Sequence, residues 1–190
     1  MFGNNFMADL YKPQLILKFK RLTKTMTVPT KAHETDACFD IYADIPNETY
    51  KIMKKDFDIG EIFNSMFSNS DATITESGNG LAIPPHKTVK VPTGFATNIP
   101  HGYWAAVFAR SGLATKQSLR PANCVAVIDE PYTGEWFIPI HNDSDEDQII
   151  HHGDRIAQFT LLPYYATKLT EVNELESTDR GDGGFGSSGV

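Results

Sequence analysis

An all-β fold, an antiparallel barrel or jelly roll, is what this sequence predicts, and three observations predict it. Short runs rich in β-branched and aromatic residues recur from Leu15 to Pro163, each closed by turn residues. Helical periodicity persists over two or three turns in only one stretch, Asp58 to Phe67, which argues against a layered α/β architecture. At 190 residues with 41% hydrophobic content, the chain can bury one good-sized core, so one domain is expected.

Taken in order, the first fourteen residues read as an extension, and Leu15 to Phe19 as the first strand. Asp36-Ala-Cys-Phe-Asp40-Ile-Tyr sets carboxylates beside a β-run. From Asn47 to Gly80 the chain turns polar and irregular, which reads as an insertion between neighbouring strands. Its apolar positions Ile59, Ile62, Phe63, Met66 and Phe67 read as packing against the body of the domain. Thr88 to Val91 and Gly102 to Phe108 are strands, and Ala114 to Leu119 makes one short helical turn after Arg110-Ser111-Gly112. Val125 to Ile128 and Glu135 to Ile140 form a strand, turn, strand unit, and Arg155 to Leu162 is the last strand. The domain thus spans 15–175, with 47–80 inserted, and 176–190 is a glycine-rich C-terminal arm.

Composition excludes several classes of function. The net charge of −7 argues against a nonspecific grip on nucleic acid, which needs a basic surface to displace counterions. No apolar run approaches the roughly 20 residues that span a bilayer, and Met1 to Gln14 does not resemble a signal peptide. An intracellular protein, cytoplasmic or nuclear and not secreted, is expected. Cys38 and Cys124 are the only cysteines, which argues against a disulfide scaffold and reads as two reduced, core-facing thiols.

The candidate chemistry is concentrated in a few segments. Arg180-Gly-Asp-Gly-Gly-Phe185-Gly186-Ser187-Ser188 sets an arginine fork, a flat aromatic face and two hydroxyls among glycines whose N–H groups can converge on an anion. A flexible tail is the bland reading of the same residues. Asn123 to Glu135 places Asp129 and Tyr132 at a hairpin tip, where free backbone groups and the Asn123 amide can read the edge of a base. Asp129 follows three apolar residues, so a partly desolvated carboxylate acting as general base is expected, against the simpler reading of a turn aspartate. Arg110 and Ser111, and again Arg155 and Gln158, supply donors suited to phosphate oxygens. Asp40 suits a hydrated magnesium ion held without a closed protein cage, or an ordinary salt bridge. Asp143, Asp145, Glu146 and Asp147 lack the glycine and closing glutamate of a calcium loop and read as a solvated acidic loop. His151-His152 has no third ligand at readable spacing and reads as a surface turn.

The ordered segments Asp36 to Tyr42, Arg110 to Ala114, Asn123 to Glu135, Gly153 to Gln158 and Arg180 to Gly189 together resemble the trimeric dUTPase family. That resemblance implies a distorted jelly-roll β-barrel and a homotrimer whose sites are shared between subunits and closed by the C-terminal arm. It implies a hydrolase that converts dUTP to dUMP and pyrophosphate with Mg²⁺, keeping uracil out of DNA and supplying dUMP for thymidylate synthesis. Asp129 would activate the water that attacks the α-phosphorus, with Arg155 supporting it. Asn123, Ala126 and Ile128 would line the uracil pocket, and Tyr132 would lie under the deoxyribose and leave no room for a 2′-hydroxyl. Arg110, Ser111, Gly112 and Gln158 would contact the triphosphate, and Asp40 would hold Mg²⁺ through water. Arg180, Phe185, Gly186, Ser187 and Ser188 would close the site. Three positions depart from the family: Cys38 and Ala126 stand where glycines are usual, and Thr133 replaces an arginine or glutamine.

Two other functions compete. The related dCTP deaminases carry a catalytic glutamate on the strand after the hairpin, where this chain has Pro139, which cannot shuttle a proton. A regulatory nucleotide-binding protein that docks a protein partner through 47–80 is the second.

Overall fold

The computed structural model describes residues 15–45, 73–74 and 80–183 of the chain. Among the described residues, twelve strands and one short helix follow one another: β1 (Lys18–Arg21), β2 (Phe39–Tyr42), β3 (Thr73–Ile74), β4 (Gly80–Ile83), β5 (Thr88–Val91), β6 (Phe95–Asn98), β7 (Tyr103–Phe108), α1 (Ser111–Gln117), β8 (Leu119–Pro121), β9 (Val125–Ile128), β10 (Ile138–Asn142), β11 (Gln148–His151) and β12 (Arg155–Pro163). They pair in four small antiparallel sheets, β1-β6, β5-β10-β8, β11-β4-β3 and β2-β12-β7-β9. The expected all-β architecture is what forms.

The pattern of side chains explains why. On β10, Ile138, Ile140 and Asn142 are buried while Pro139 and His141 alternate outward, the period of two that a half-buried strand requires. Its partner β5 answers with buried Val89 and Val91 opposite Ile140 and Ile138. Ala105, Ala106 and Val107 of β7 are all fully buried between β12 and β9, where successive side chains face opposite ways and small residues fit both sides. The core centres on Trp136, whose ring lies 5.1 Å from both Phe95 and Phe159. Full burial of such aromatic and branched side chains stabilises the fold by about 1.5–3 kcal/mol each.

Several expectations are corrected. The first strand runs Lys18–Arg21 rather than Leu15 to Phe19, and the second hairpin arm begins at Ile138, with Glu135 making only an isolated bridge to Ala96. The helix starts at Ser111, directly after Arg110 as N-cap, and ends at Ser118, which adopts a left-handed conformation with φ of 53°. The end of the predicted insertion carries β3, which pairs with Leu81 and Ala82 of β4. The amphipathic stretch from Asp58 to Phe67 lies outside the described residues. Neither cysteine is core-facing: Cys38 is half-buried, and Cys124 is exposed at a tight turn with φ of 60°. Among the described residues no helix is long and apolar enough to cross a membrane.

Buried Asn142 organises the acidic loop. Its amide nitrogen donates to Ile83 O and Glu146 O (2.9 and 2.7 Å), and its Oδ1 accepts from the Ser144 N–H and hydroxyl. Asp143 pairs with Arg120 at 2.7 Å, a hydrogen bond that holds its carboxyl below the usual range. His152 is more than a surface residue, because its Nδ1 accepts the Ile45 N–H at 3.0 Å.

Candidate functional site

Nine of the sequence-predicted site residues lie in two separate hollows. The first lies under the β9–β10 hairpin and has a volume of about 390 Å³; Asn123, Ala126, Ile128, Asp129 and Tyr132 line it, with Lys90, Phe137 and Pro139 opposite. A turn closes the hairpin tip, the Tyr132 N–H donating to Asp129 O at 3.0 Å. The Tyr132 hydroxyl donates to Glu135 O at 2.7 Å, which folds the ring back over Gly134. A Cβ at 134 would stand 2.7 Å from the Tyr132 hydroxyl oxygen, so any larger residue would push the ring aside. Glu135 anchors the hairpin on the β5–β6 turn, its Oε1 accepting from Thr93 N–H and Gly94 N–H at 3.2 and 2.9 Å.

Ala126 reaches this hollow but is only 5% exposed and belongs chiefly to the core. Asp129 departs from expectation. It is exposed, not partly desolvated, because the strand ends before it and the turn carries it outward. Among the described residues, none hydrogen-bonds its carboxylate.

The second hollow, about 310 Å³, is lined by Asp36, Cys38, Asp40, Arg110, Arg155 and Gln158. Sheet register assembles it. Asp40 of β2 sits opposite Gln158 of β12, which sits opposite Phe108 of β7, two residues before Arg110. Arg110 Nε donates to Asp40 Oδ1 at 2.6 Å and Arg155 donates to Asp40 Oδ2 at 3.2 Å, so one largely buried carboxylate holds both guanidinium groups. Gln158 Nε2 donates to Ala109 O at 2.9 Å, which fixes the junction between β7 and α1. Burial pushes the Cys38 thiol up, with Lys31 opposing and Asp40 adding to the rise, so this thiol stays protonated.

The donor set limits what cation can enter. Among the described residues no three His, Cys, Asp or Glu side chains converge as a metal cage. Both Asp40 oxygens already face guanidinium groups, and Asp36 Oδ2 accepts the His33 N–H at 2.9 Å. These residues fit a magnesium ion that arrives on phosphates and keeps most of its water, a mode that needs only one or two carboxylates.

The two hollows sit at opposite edges of one sheet, β2-β12-β7-β9. Three strand spacings of about 4.8 Å separate β2 from β9, and Asp129 lies a further three to four residues along at roughly 3.4 Å each. Asp129 and Arg155, expected to act together, do not meet within one chain.

Of the arm, Arg180 Nε donates to Gly183 O at 2.9 Å and touches neither hollow, while Phe185, Gly186, Ser187 and Ser188 lie outside the described residues. Beyond β12 the chain from 164 to 182 is exposed throughout, including Tyr165, Leu169 and Leu175 at 88–92%. Ser111 and Gly112 open α1, both exposed, beside Arg110. Sequence reasoning missed Lys90 and Phe137, whose place in the first hollow follows only from the pairing of Lys90 with Pro139 across β5 and β10.

The domain is an antiparallel β-structure with one hollow beneath a hairpin and another built from arginines and carboxylates, an arrangement suited to an anionic ligand. Comparison with known proteins makes this specific. The dUTPase family profile matches residues 76–189, and the chain belongs to that family. A deoxyuridine 5'-triphosphate nucleotidohydrolase of Desulfitobacterium hafniense is 48% identical over 111 residues, 58% of this chain and 74% of that one. One from Desulfotalea psychrophila is 48% identical over 108 residues, 57% and 72% of the two chains. In structure, the chain is similar to a point mutant of the Staphylococcus bacteriophage 80alpha dUTPase with dUpNHpp, at TM-score 0.68 and 26% identity, covering 92% of this chain and 99% of that one.

Proposed function

We propose that the chain hydrolyses dUTP to dUMP and pyrophosphate. The observation that carries this reading is the Asp129 carboxylate, exposed and unpaired among the described residues at the rim of the hairpin hollow, in a chain of the dUTPase family. A carboxylate without a partner is free to take a proton from a water. Asp129 accepts that proton as the water oxygen bonds to the α-phosphorus, the bond from the α-phosphorus to the oxygen bridging toward the β-phosphorus breaks, and pyrophosphate departs with the electron pair. Asn123 and the backbone of β9 read uracil. The Tyr132 ring, held by Glu135 and Gly134, lies against the deoxyribose and excludes a 2′-hydroxyl.

Arg110, Arg155, Ser111 and Gln158 bind the triphosphate, and their fixed positive charge offsets the charge that builds on it in the transition state. Asp40 would hold hydrated Mg²⁺ on that triphosphate, which would supply further neutralisation of phosphate oxygens. Asp129 on one chain works with Arg110 and Arg155 of another, because the two hollows of a single chain are too far apart for one nucleotide. The exposed Tyr165, Leu169, Val172 and Leu175 of the arm likewise favour a neighbouring copy as their cover. A homotrimer with Arg180, Phe185, Gly186, Ser187 and Ser188 closing the site follows from this reading, with the cell interior as the place of action.

Incubating the purified protein and Mg²⁺ with dUTP, dCTP, dTTP and UTP in parallel, and separating the products by chromatography, tests the proposal. Release of dUMP and pyrophosphate from dUTP alone is expected. Intact dUTP after prolonged incubation would sink the reading.

A further inference from the structure

Among the described residues nothing hydrogen-bonds the Asp129 carboxylate, so there its position rests on the backbone of the turn that carries it. That turn is anchored on both sides by carboxylates. Glu135 holds its far side through Thr93 and Gly94, as described above. Glu130, the residue directly after Asp129, holds its near side with three converging partners from two other segments. His101 Nδ1 pairs with Glu130 Oε1 at 3.0 Å, and Glu130 Oε2 accepts the Gly102 N–H at 2.9 Å and the Tyr164 hydroxyl at 2.7 Å. His101 and Gly102 form the β6–β7 turn. Tyr164 is the first residue past β12, and its own N–H donates to Gly102 O at 3.0 Å. Trp104, Pro131 and Tyr164 line a third hollow, about 430 Å³, on this side of the turn, and Asp129 borders both it and the uracil-side hollow.

On the reading that Asp129 activates water, we infer that Glu130 is a positioning residue for it, tying the hairpin tip to the root of the C-terminal arm. Consecutive Cα atoms are about 3.8 Å apart, so a shift at Glu130 passes directly to Asp129. A displacement of about 1 Å in a reacting group can cost 10²-fold in rate. A surface ion pair with His101 alone would be worth little. Three hydrogen bonds to one carboxylate, spread over two segments distant in sequence, fix a direction that a single pair does not. The three partners also hold the Glu130 carboxyl down at about 2, His101 contributing most, then Tyr164, then the Gly102 N–H.

The uracil and sugar contacts belong to β9 and Tyr132, so loss of Glu130 reduces turnover while leaving substrate binding largely intact. Steady-state kinetics with dUTP and Mg²⁺ on the full chain test this. Glu130→Ala is expected to lower kcat about 10–100-fold with KM within about threefold. Glu130→Gln recovers most of that loss, because its carbonyl oxygen accepts from Gly102 and Tyr164 and its amide donates to neutral His101. Tyr164→Phe removes one donor and costs kcat severalfold, again at constant KM. If Glu130→Ala does not fold, Tyr164→Phe decides alone. A folded Glu130→Ala or Tyr164→Phe protein with unaltered kcat overturns the inference, as does a Gln variant no better than Ala. A wild-type protein that leaves dUTP intact overturns the proposed function and the inference with it; hydrolysis by wild type with unaltered variants overturns only the inference.

Discussion

The hairpin hollow and the arginine hollow are built by different means. Around Asp129 and Tyr132, carboxylates accept backbone N–H groups, Glu135 from Thr93 and Gly94 and Glu130 from Gly102, so the frame is tied to the sheet. Around Asp40 the central contacts join side chain to side chain, two guanidiniums sharing one carboxylate. The first arrangement sets a shape in advance and leaves one carboxylate free. The second stores positive charge that an incoming polyanion must draw toward itself. On the proposed reading, shape selects the nucleoside, and charge held ready on Asp40 receives the phosphates.

The sharpest way to break this comparison is to remove the free carboxylate. Asp129→Asn is expected to lower kcat by about 10²–10⁴-fold, the range of a lost general base, with an unchanged melting temperature, since among the described residues the Asp129 carboxylate has no hydrogen-bond partner. Steady-state rates alongside thermal melts check both halves. Arg110→Ala acts on the other hollow and should raise KM for dUTP about 10–100-fold, following the roughly 1.5–3 kcal/mol of a charge-assisted hydrogen bond, an effect that shrinks as salt rises. A KM insensitive to both the mutation and salt would remove the charge-storage side of the comparison.

Smaller effects sharpen the shape side. Gly134→Ala pushes against the Tyr132 ring, and a cost of about 1–3 kcal/mol is expected by denaturant titration, together with weaker discrimination against UTP. The acid limb of stability carries the smallest signal. The Glu130 carboxyl is depressed from 4.5 to about 2, so its contribution is complete above the ordinary value and disappears as pH falls between the two. Melting temperatures of wild type and Glu130→Gln should therefore draw together as pH falls from 4.5 to about 2. A constant gap would show that the three hydrogen bonds do not depend on the charge.

Much of this was legible in sequence, for identifiable reasons. Val125 to Ile128 and Thr88 to Val91 fall where their β-branched runs predicted, because local pattern and tertiary burial agree. Phe95–Asn98 and Leu119–Pro121 escaped notice because both are short, one following Pro-Thr-Gly and the other ending in proline; their pairing with β1 and β10 supplies what local propensity lacks. The identities of Asp129, Tyr132, Arg110 and Arg155 were visible as chemistry. The family resemblance implied that the hairpin and the phosphate residues come from different subunits, but their placement at two edges of one sheet depends on the strand order β2-β12-β7-β9, which no local pattern carries. Asp129 read as partly desolvated because three apolar residues precede it, whereas alternation along β9 leaves Val125 and Val127 exposed and the turn leaves Asp129 in water. Glu130 carried no sequence signal, since its partners lie about 29 and 34 residues away.

The separation of the two hollows gives the protein a genetic property. On the proposed reading, chains slowed by Asp129→Asn and chains weakened in dUTP binding by Arg110→Ala carry their lesions in hollows that one polypeptide does not bring together. When the two are unfolded together and refolded as a mixture, some assemblies unite an intact hairpin from one parent with an intact arginine cluster from the other. Two impaired proteins then complement each other at low dUTP, whereas a pair of variants in the same hollow does not.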